Sequence, residues 1–237
     1  MKTTTNNLHL SPSTRVKAQR LFLILAALFI TALVVSNLIF QKFFSWNAFG
    51  LYTFEISVGI LPYPITFLIT DLISEIFGKK KANLVVTTGL FASFFSLLII
   101  SIANAVPATD WSPVSNTLFE KVFGATAVAV FASMTAYLLA QYVDIHIFHF
   151  WKRLTKGKHL WLRNNFSTFS SQFLDTFTVL LLLCSFDKIE WHLFGSLLLS
   201  GFLFKVLVAA LDTPILYFLV YVCRKNFKLS ANQELEI

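Results

Sequence analysis

Charge is what this 237-residue chain has least of. Only 13% of its residues are Asp, Glu, Lys or Arg, about half the share of an ordinary soluble domain. Hydrophobic residues make up 56% and the mean hydropathy is +0.70, a balance that excludes a water-soluble globular domain. Cysteine is nearly absent. Cys184 and Cys223 are the only two, in or near apolar runs on opposite sides of the predicted membrane, and they read as small buried hydrophobes. Catalytic signatures are missing as well. An intramembrane aspartyl protease needs an Asp dyad, yet there is no Gly-x-Gly-Asp motif and no Tyr-Asp pair. A serine enzyme would show Gly-x-Ser-x-Gly, which does not occur. His146 and His149 near Asp144 read as interface residues rather than metal ligands. No enzyme activity, cofactor or metal is expected.

Long apolar runs take up most of the chain. A membrane span needs about 20 largely apolar residues, and six segments qualify: Leu21–Phe40, Phe54–Phe77, Ala82–Val106, Phe123–Ile147, Thr168–Ser185 and Gly195–Val222. Phe occurs 27 times, which suits lipid-facing surfaces. The expected fold class is all-α: a polytopic membrane protein with six transmembrane helices and both termini cytoplasmic. Its divisions are a cytoplasmic tail over residues 1–20, a transmembrane domain over 21–223 and a second tail over 224–237. Both tails are expected to be poorly ordered. The first run is too long for a signal-peptide core and lacks a cleavage site, so it reads as a retained helix.

The net charge of +7 does not point to nucleic acid, because its distribution follows the membrane. With the N-terminus inside, the cytoplasmic segments hold Lys2, Arg15, Lys17, Arg20, Lys79, Lys80, Lys81, Lys152, Arg153, Lys156, Lys158, Arg163, Arg224, Lys225 and Lys228. Only Lys42, Lys121 and Lys188 lie outside. This is the positive-inside pattern, repeated at every loop. The basic residues set topology and meet anionic headgroups of the bilayer.

Against this background, six charges stand out within or at the ends of the spans: Asp71, Glu75, Asp144, Asp175, Asp212 and Lys205. Each costs on the order of 3 kcal/mol at mid-bilayer even on lenient insertion scales, and such residues mark substrate or ion paths. Asp175 and Asp71 lie about 10–12 Å from the cytoplasmic ends of their predicted spans, at 1.5 Å per residue. Five acids with one lysine favour proton coupling, or a substrate that brings a cation or several N–H donors. Lys205 and Asp212 are seven apart and too distant along the axis to pair, so Lys205 is expected to meet an acid on another helix, Asp175 or Asp71.

Spacing groups the polar residues further. Gln141-x-x-Asp144 and Gln172-x-x-Asp175 each place an amide and a carboxylate on one helix face. Asp71 and Glu75, four apart, also share a face. Upstream, Pro62 and Pro64 remove backbone donors and predict a break in the second span. The densest polar run is Trp161-Leu162-Arg163-Asn164-Asn165-Phe166-Ser167-Thr168. By default Arg163 is a topology anchor there, and Ser167 or Thr168 can cap the fifth span.

That run, with Gln172 and Asp175, resembles the signature of the queuosine precursor transporter family, formerly grouped as vitamin-uptake-like. Asn37, Pro64, Thr70-Asp71, Ser74-Glu75, Gly78 and Gln141-x-x-Asp144 match it too. The resemblance runs from the first span to the last. Departures are Phe77, where tyrosine is usual, and Ile76, where valine is common; neither touches the polar set. The resemblance implies uptake of 7-deazaguanine precursors of queuosine, the 7-cyano and 7-aminomethyl bases, across the bacterial inner membrane. Independently, a guanine-like base offers an N1–H and a 2-amino group to a carboxylate, and a carbonyl to an amide or Arg. The expected substrate-binding residues are Asp71, Glu75, Gln141, Asp144, Arg163, Asn164, Asn165, Gln172, Asp175 and Asp212, with Lys205 in a structural or ion-pair role. Phe166, Phe169 and Phe173 are candidates to stack on the ring. Proton coupling and a homodimer stay open. The alternative is the substrate-binding subunit of an energy-coupling-factor transporter. The first span offers only Ala27-x-x-x-Thr31 and Ala32-x-x-x-Ser36 for the small-residue stripe that such a subunit uses.

Overall fold

The computed structural model describes residues 12–39, 42–48, 50, 52–124, 127–156, 158–187, 190–230 and 233–235. Its frame is helical. Six helices alternate in direction: α1 (Pro12–Ile39), α2 (Tyr63–Ile76), α3 (Lys79–Ala105), α5 (Ala127–Leu154), α6 (Leu160–Ser185) and α7 (Phe194–Phe227), with a four-residue α4 (Asn116–Phe119) between α3 and α5. The start of α1, α3 and α6 and the end of α2, α5 and α7 lie at one end of the bundle, which also holds most of the basic residues. The chain is an all-α polytopic membrane protein. Each predicted span contains one long helix, and α1, α2 with its preceding turn, α3, α6 and α7 are long and apolar enough to cross a bilayer.

Three boundaries differ from the expectation. The second span does not begin at Phe54. Residues Phe43–Ala48 (β1) and Tyr52–Ser57 (β2) form an antiparallel hairpin, paired from Phe43↔Ser57 to Ala48↔Tyr52. The alternation Thr53-Phe54-Glu55-Ile56-Ser57 is a period-2 strand signal hidden in an apolar run. Trp46 stacks on Phe54 at 5.6 Å between centroids, and both present edges to Phe204 of α7, which fixes the hairpin on the bundle. Secondly, Pro62 and Pro64 start α2 rather than break a helix: Pro62 is its N-cap and Pro64 lies in its first turn, where a missing N–H costs nothing. Thirdly, α6 begins at Leu160, so Ser167 and Thr168 are interior residues and not caps. The stretch left between the fourth and fifth predicted spans is mostly helical, and the connection shrinks to the residues between Leu154 and Leu160.

Parts of both predicted tails lie among the described residues and are helical or packed, while residues 1–11 lie outside them. Residues 12–20 continue α1, and α7 runs to Phe227 through Pro214. Beyond it, the Leu235 N–H donates to the Ile76 carbonyl at 2.7 Å, and Leu235 is buried in the core with Ile73, Ile76 and Phe77. Gly78 turns the chain from α2 into α3 at φ 83°, a conformation that suits glycine. A Cβ there would collide with the Glu234 carboxylate.

The core runs along the α1–α2–α3 side, through Phe29, Leu33, Ile73, Val85, Val86 and Leu216. Gly89 lets α3 approach α1 closely; a Cβ at that position would fall 2.6 Å from the Phe29 ring. Large apolar side chains on α1, α3 and α7, including Leu23, Ile24, Phe91, Phe95, Leu211 and Phe218, point outward. In water such a surface would be unstable; in a bilayer it is the lipid-facing coat.

Candidate substrate-binding site

A polar seam runs down the bundle where α2, α5 and α6 meet, with α7 beside it. On α2, Thr66, Thr70, Asp71, Ser74 and Glu75 form one stripe at helical spacing, all at most 2% exposed. On α5 the stripe is Tyr137, Gln141 and Asp144; on α6 it is Arg163, Ser167, Ser171, Gln172 and Asp175, all buried. Within lipid, each of these groups needs a partner inside the protein.

The seam has three tiers. At the end away from the basic residues, Gln141 Nε2 donates to the Tyr137 hydroxyl at 2.6 Å, and Thr70 Oγ1 donates to Gln141 Oε1 at 3.3 Å. Tyr137 packs against the rings of Phe29 and Phe67. In the middle, Ser171 Oγ donates to Asp144 Oδ1 at 2.9 Å, while the carboxyl groups of Asp71 and Asp144 face each other. Asp175 meets Lys205 of α7 at 2.5 Å. Because α6 starts eight residues earlier than expected, Asp175 is fifteen residues in from Leu160, about 22 Å at 1.5 Å per residue and close to mid-helix.

The third tier is an ionic knot at the basic end. Glu75 Oε1 receives Arg163 Nη2 at 2.7 Å and Arg224 Nη2 at 2.5 Å, and Lys152 Nζ stands 3.7 Å from Oε2. Lys152 also binds Glu234 at 2.9 Å. Four helices and the segment after α7 are thus tied at one carboxylate. Arg163 is not a surface anchor: it is 1% exposed, with its guanidinium 5.5 Å above the Phe148 ring. Desolvating an arginine this fully is tolerable only with a paired carboxylate.

The seam brings together Asp71, Glu75, Gln141, Asp144, Arg163, Gln172 and Asp175, with Lys205 on Asp175. Asn165 lies apart from it: its Oδ1 accepts from Thr213 and its Nδ2 donates to the Trp161 carbonyl. The side chain of Asn164 lies outside the described residues. Asp212 is half-buried on α7 and has no hydrogen-bond or ion-pair partner among the described residues. Of the proposed stacking rings, Phe166 and Phe173 point outward. Asn37 belongs elsewhere, with Ser93 and Ser96 in a cavity of about 20 Å³ between α1, α3 and α5, room for one water. Tyr137 was missed, though it stands one turn before Gln141 on the same face. Lys152 and Arg224 were read only as topology charges.

Several buried polar atoms of the seam have no hydrogen-bond partner among the described residues: Asp71 Oδ1, Asp144 Oδ2, Gln172 Oε1, Glu75 Oε2, Ser74 Oγ and Arg163 Nε. Acceptors dominate. A donor-rich polar molecule is the chemical complement of such a surface.

Residues 57–219 match the sequence model of a family described as "Putative vitamin uptake transporter". The chain is 28% identical over 165 residues to a protein of Bacillus subtilis named "Probable queuosine precursor transporter", spanning 68% of this chain and 70% of that one. It is 30% identical over 125 residues to the "Queuosine precursor transporter" of Escherichia coli and 29% over 126 residues to its Haemophilus influenzae counterpart, named as probable. Those two alignments span only about half of each relative, 52% and 51%. No solved structure matches. The family and the relatives are transporters, not enzymes, in keeping with the apolar helices and the buried polar seam. The chain belongs to the vitamin uptake transporter family.

Proposed function

We propose that this chain imports 7-deazaguanine precursors of queuosine across the bacterial inner membrane, its basic end facing the cytoplasm, and that the seam holds the base by its guanine-like edge. The observation that carries the reading is the set of buried acceptors without donors: Asp71 Oδ1, Asp144 Oδ2 and Gln172 Oε1. A guanine-like edge supplies the matching donors, an N1–H and a 2-amino group, which a carboxylate accepts together. Its carbonyl suits Arg163 Nε, a buried donor with no hydrogen-bond partner among the described residues. The Tyr137, Phe29 and Phe67 rings form an aromatic cluster at the far end of the seam. Substrate names carried by the relatives support the same class of ligand.

The test is uptake of labelled 7-cyano-7-deazaguanine and 7-aminomethyl-7-deazaguanine by a strain that cannot make them, and then by the purified protein in liposomes. Uptake in the strain that depends on this chain is the expected result. Failure to move either base in both systems removes the reading. Uptake in cells but not in liposomes would favour a substrate-binding subunit that needs an energising partner.

A further inference from the structure

The buried acids of the seam share its cations unequally. Glu75 faces Arg163, Arg224 and Lys152, and Asp175 has Lys205. Asp71 and Asp144, though at most 2% exposed, have no lysine or arginine within ion-pair distance among the described residues. Their carboxyl groups face each other instead. Two carboxylates in contact in a dry interior do not both stay ionised; such a dyad titrates as a unit and shares a proton. The groups around the pair are Glu75 on α2, Tyr137 on α5, and Arg163, Ser167 and Ser171 on α6. Of these, only Arg163 is cationic, and it is bound to Glu75. Ser171 donates to Asp144, which supports Asp144 as the anion and leaves Asp71 as the seat of the proton.

We propose that the Asp71–Asp144 pair is a proton-binding site that couples inward proton movement to import of the base. The inference rests on the transport reading above and deepens it. A proton from the outer solution adds to an Asp71 oxygen and forms an O–H bond. On the basic side that bond breaks and the proton returns to water, while no bond of the base changes. Arg163 links the pair to the knot, because it lies close enough to act on Asp71 while holding Glu75 one turn away. When the pair loses its proton, its second negative charge draws Arg163 from Glu75 and loosens the tie that closes the basic end. A neutral base carried with one proton moves one positive charge inward.

The experiment uses the purified full chain in liposomes that enclose a pH-sensitive dye, with labelled 7-cyano-7-deazaguanine outside. Adding the base is expected to acidify the lumen. Each pH unit of inward gradient should raise the accumulation ratio by up to about tenfold, the limit for one proton per base. Asp71→Asn and Asp144→Asn should abolish that response. Infrared spectroscopy gives a readout that needs no transport: the carbonyl stretch of a protonated carboxyl, present in the folded wild type and lost in both variants. Base exchange that ignores the gradient and leaves the lumen at constant pH would overturn coupling and leave the transport reading standing. Absence of any base exchange in liposomes would overturn coupling by this chain alone, and the transport reading falls with it only when uptake in cells fails as well. An infrared band that survives in both variants would take the proton off this pair and overturn the assignment.

Discussion

One turn of α2 separates two carboxyl groups with opposite surroundings. Glu75 has three cations from three helices around it. Asp71 faces another carboxyl group and has no cation in contact among the described residues. Both are buried to the same degree, so desolvation is equal and the difference lies in the neighbours. A fully paired buried ion fastens helices together, because any motion that parts the pair exposes uncompensated charge. An unpaired acid does the reverse: it keeps binding capacity in reserve for something that arrives. The same residue class on one helix face thus serves as a fastener at the basic end and as a receptor in the middle.

The largest effect should separate these roles directly. Glu75→Ala strands Arg163, and breaking a buried ion pair from one side costs about 3–5 kcal/mol. The melting temperature in detergent should fall by about 10 °C. Asp71→Asn keeps shape and removes only the ability to take up and release a proton, so its melting temperature should move by no more than about 2 °C. Its uptake of labelled base should nevertheless fall by about 100-fold, the order expected when a site built around a hydrogen-bonding group loses it. If Asp71→Asn melts as low as Glu75→Ala, the two carboxyls do not differ in role.

Asp175 tests the boundary between the two classes, since it lies near mid-helix but carries one cation. Asp175→Asn should nearly abolish uptake with membrane insertion intact; normal uptake would remove α6 from the centre of the site. Its pairing with Lys205 is measured by adding Lys205→Met. If the 2.5 Å contact is a real coupling, the double variant should be more stable than the sum of the two single effects by about 1–3 kcal/mol. Additive losses would mean that the two residues act separately and that Asp175 belongs with Asp71 and Asp144.

The sequence carried the frame and most of the polar seam, and each shortfall has a physical origin. Hydropathy marks where chain must be buried in lipid, so the six helical segments were legible. It is blind to period, so the hairpin strand Tyr52–Ser57 was absorbed into the second span although its alternation was present. Arg163 was misplaced because a polar run beside basic residues looks like a loop. Only the partner Glu75, eighty-eight positions away, makes burial of that arginine affordable. Positive-inside counting also treats Lys152 and Arg224 as interchangeable with any exposed lysine, and nothing local distinguishes the ones that turn inward. Asp212 differs from the seam acids in being only half-buried on α7.

The smallest effect probes the far side of the carboxyl pair, where Tyr137 and Gln141 are joined by a neutral hydrogen bond. Tyr137 accepts from Gln141 Nε2, which orients the amide so that its oxygen receives Thr70. Tyr137→Phe removes that acceptor while keeping the ring against Phe29 and Phe67, so packing changes little. A lost hydrogen bond of this kind is worth about 1 kcal/mol, or roughly fivefold in an equilibrium constant. If the amide helps to hold the base, the apparent affinity for uptake should weaken by about that factor, with the maximal rate and the melting temperature nearly unchanged. A drop in melting temperature with unaltered affinity would make this tier a second fastener, and the contrast along α2 would then be between one receptor and the structural contacts on both sides of it.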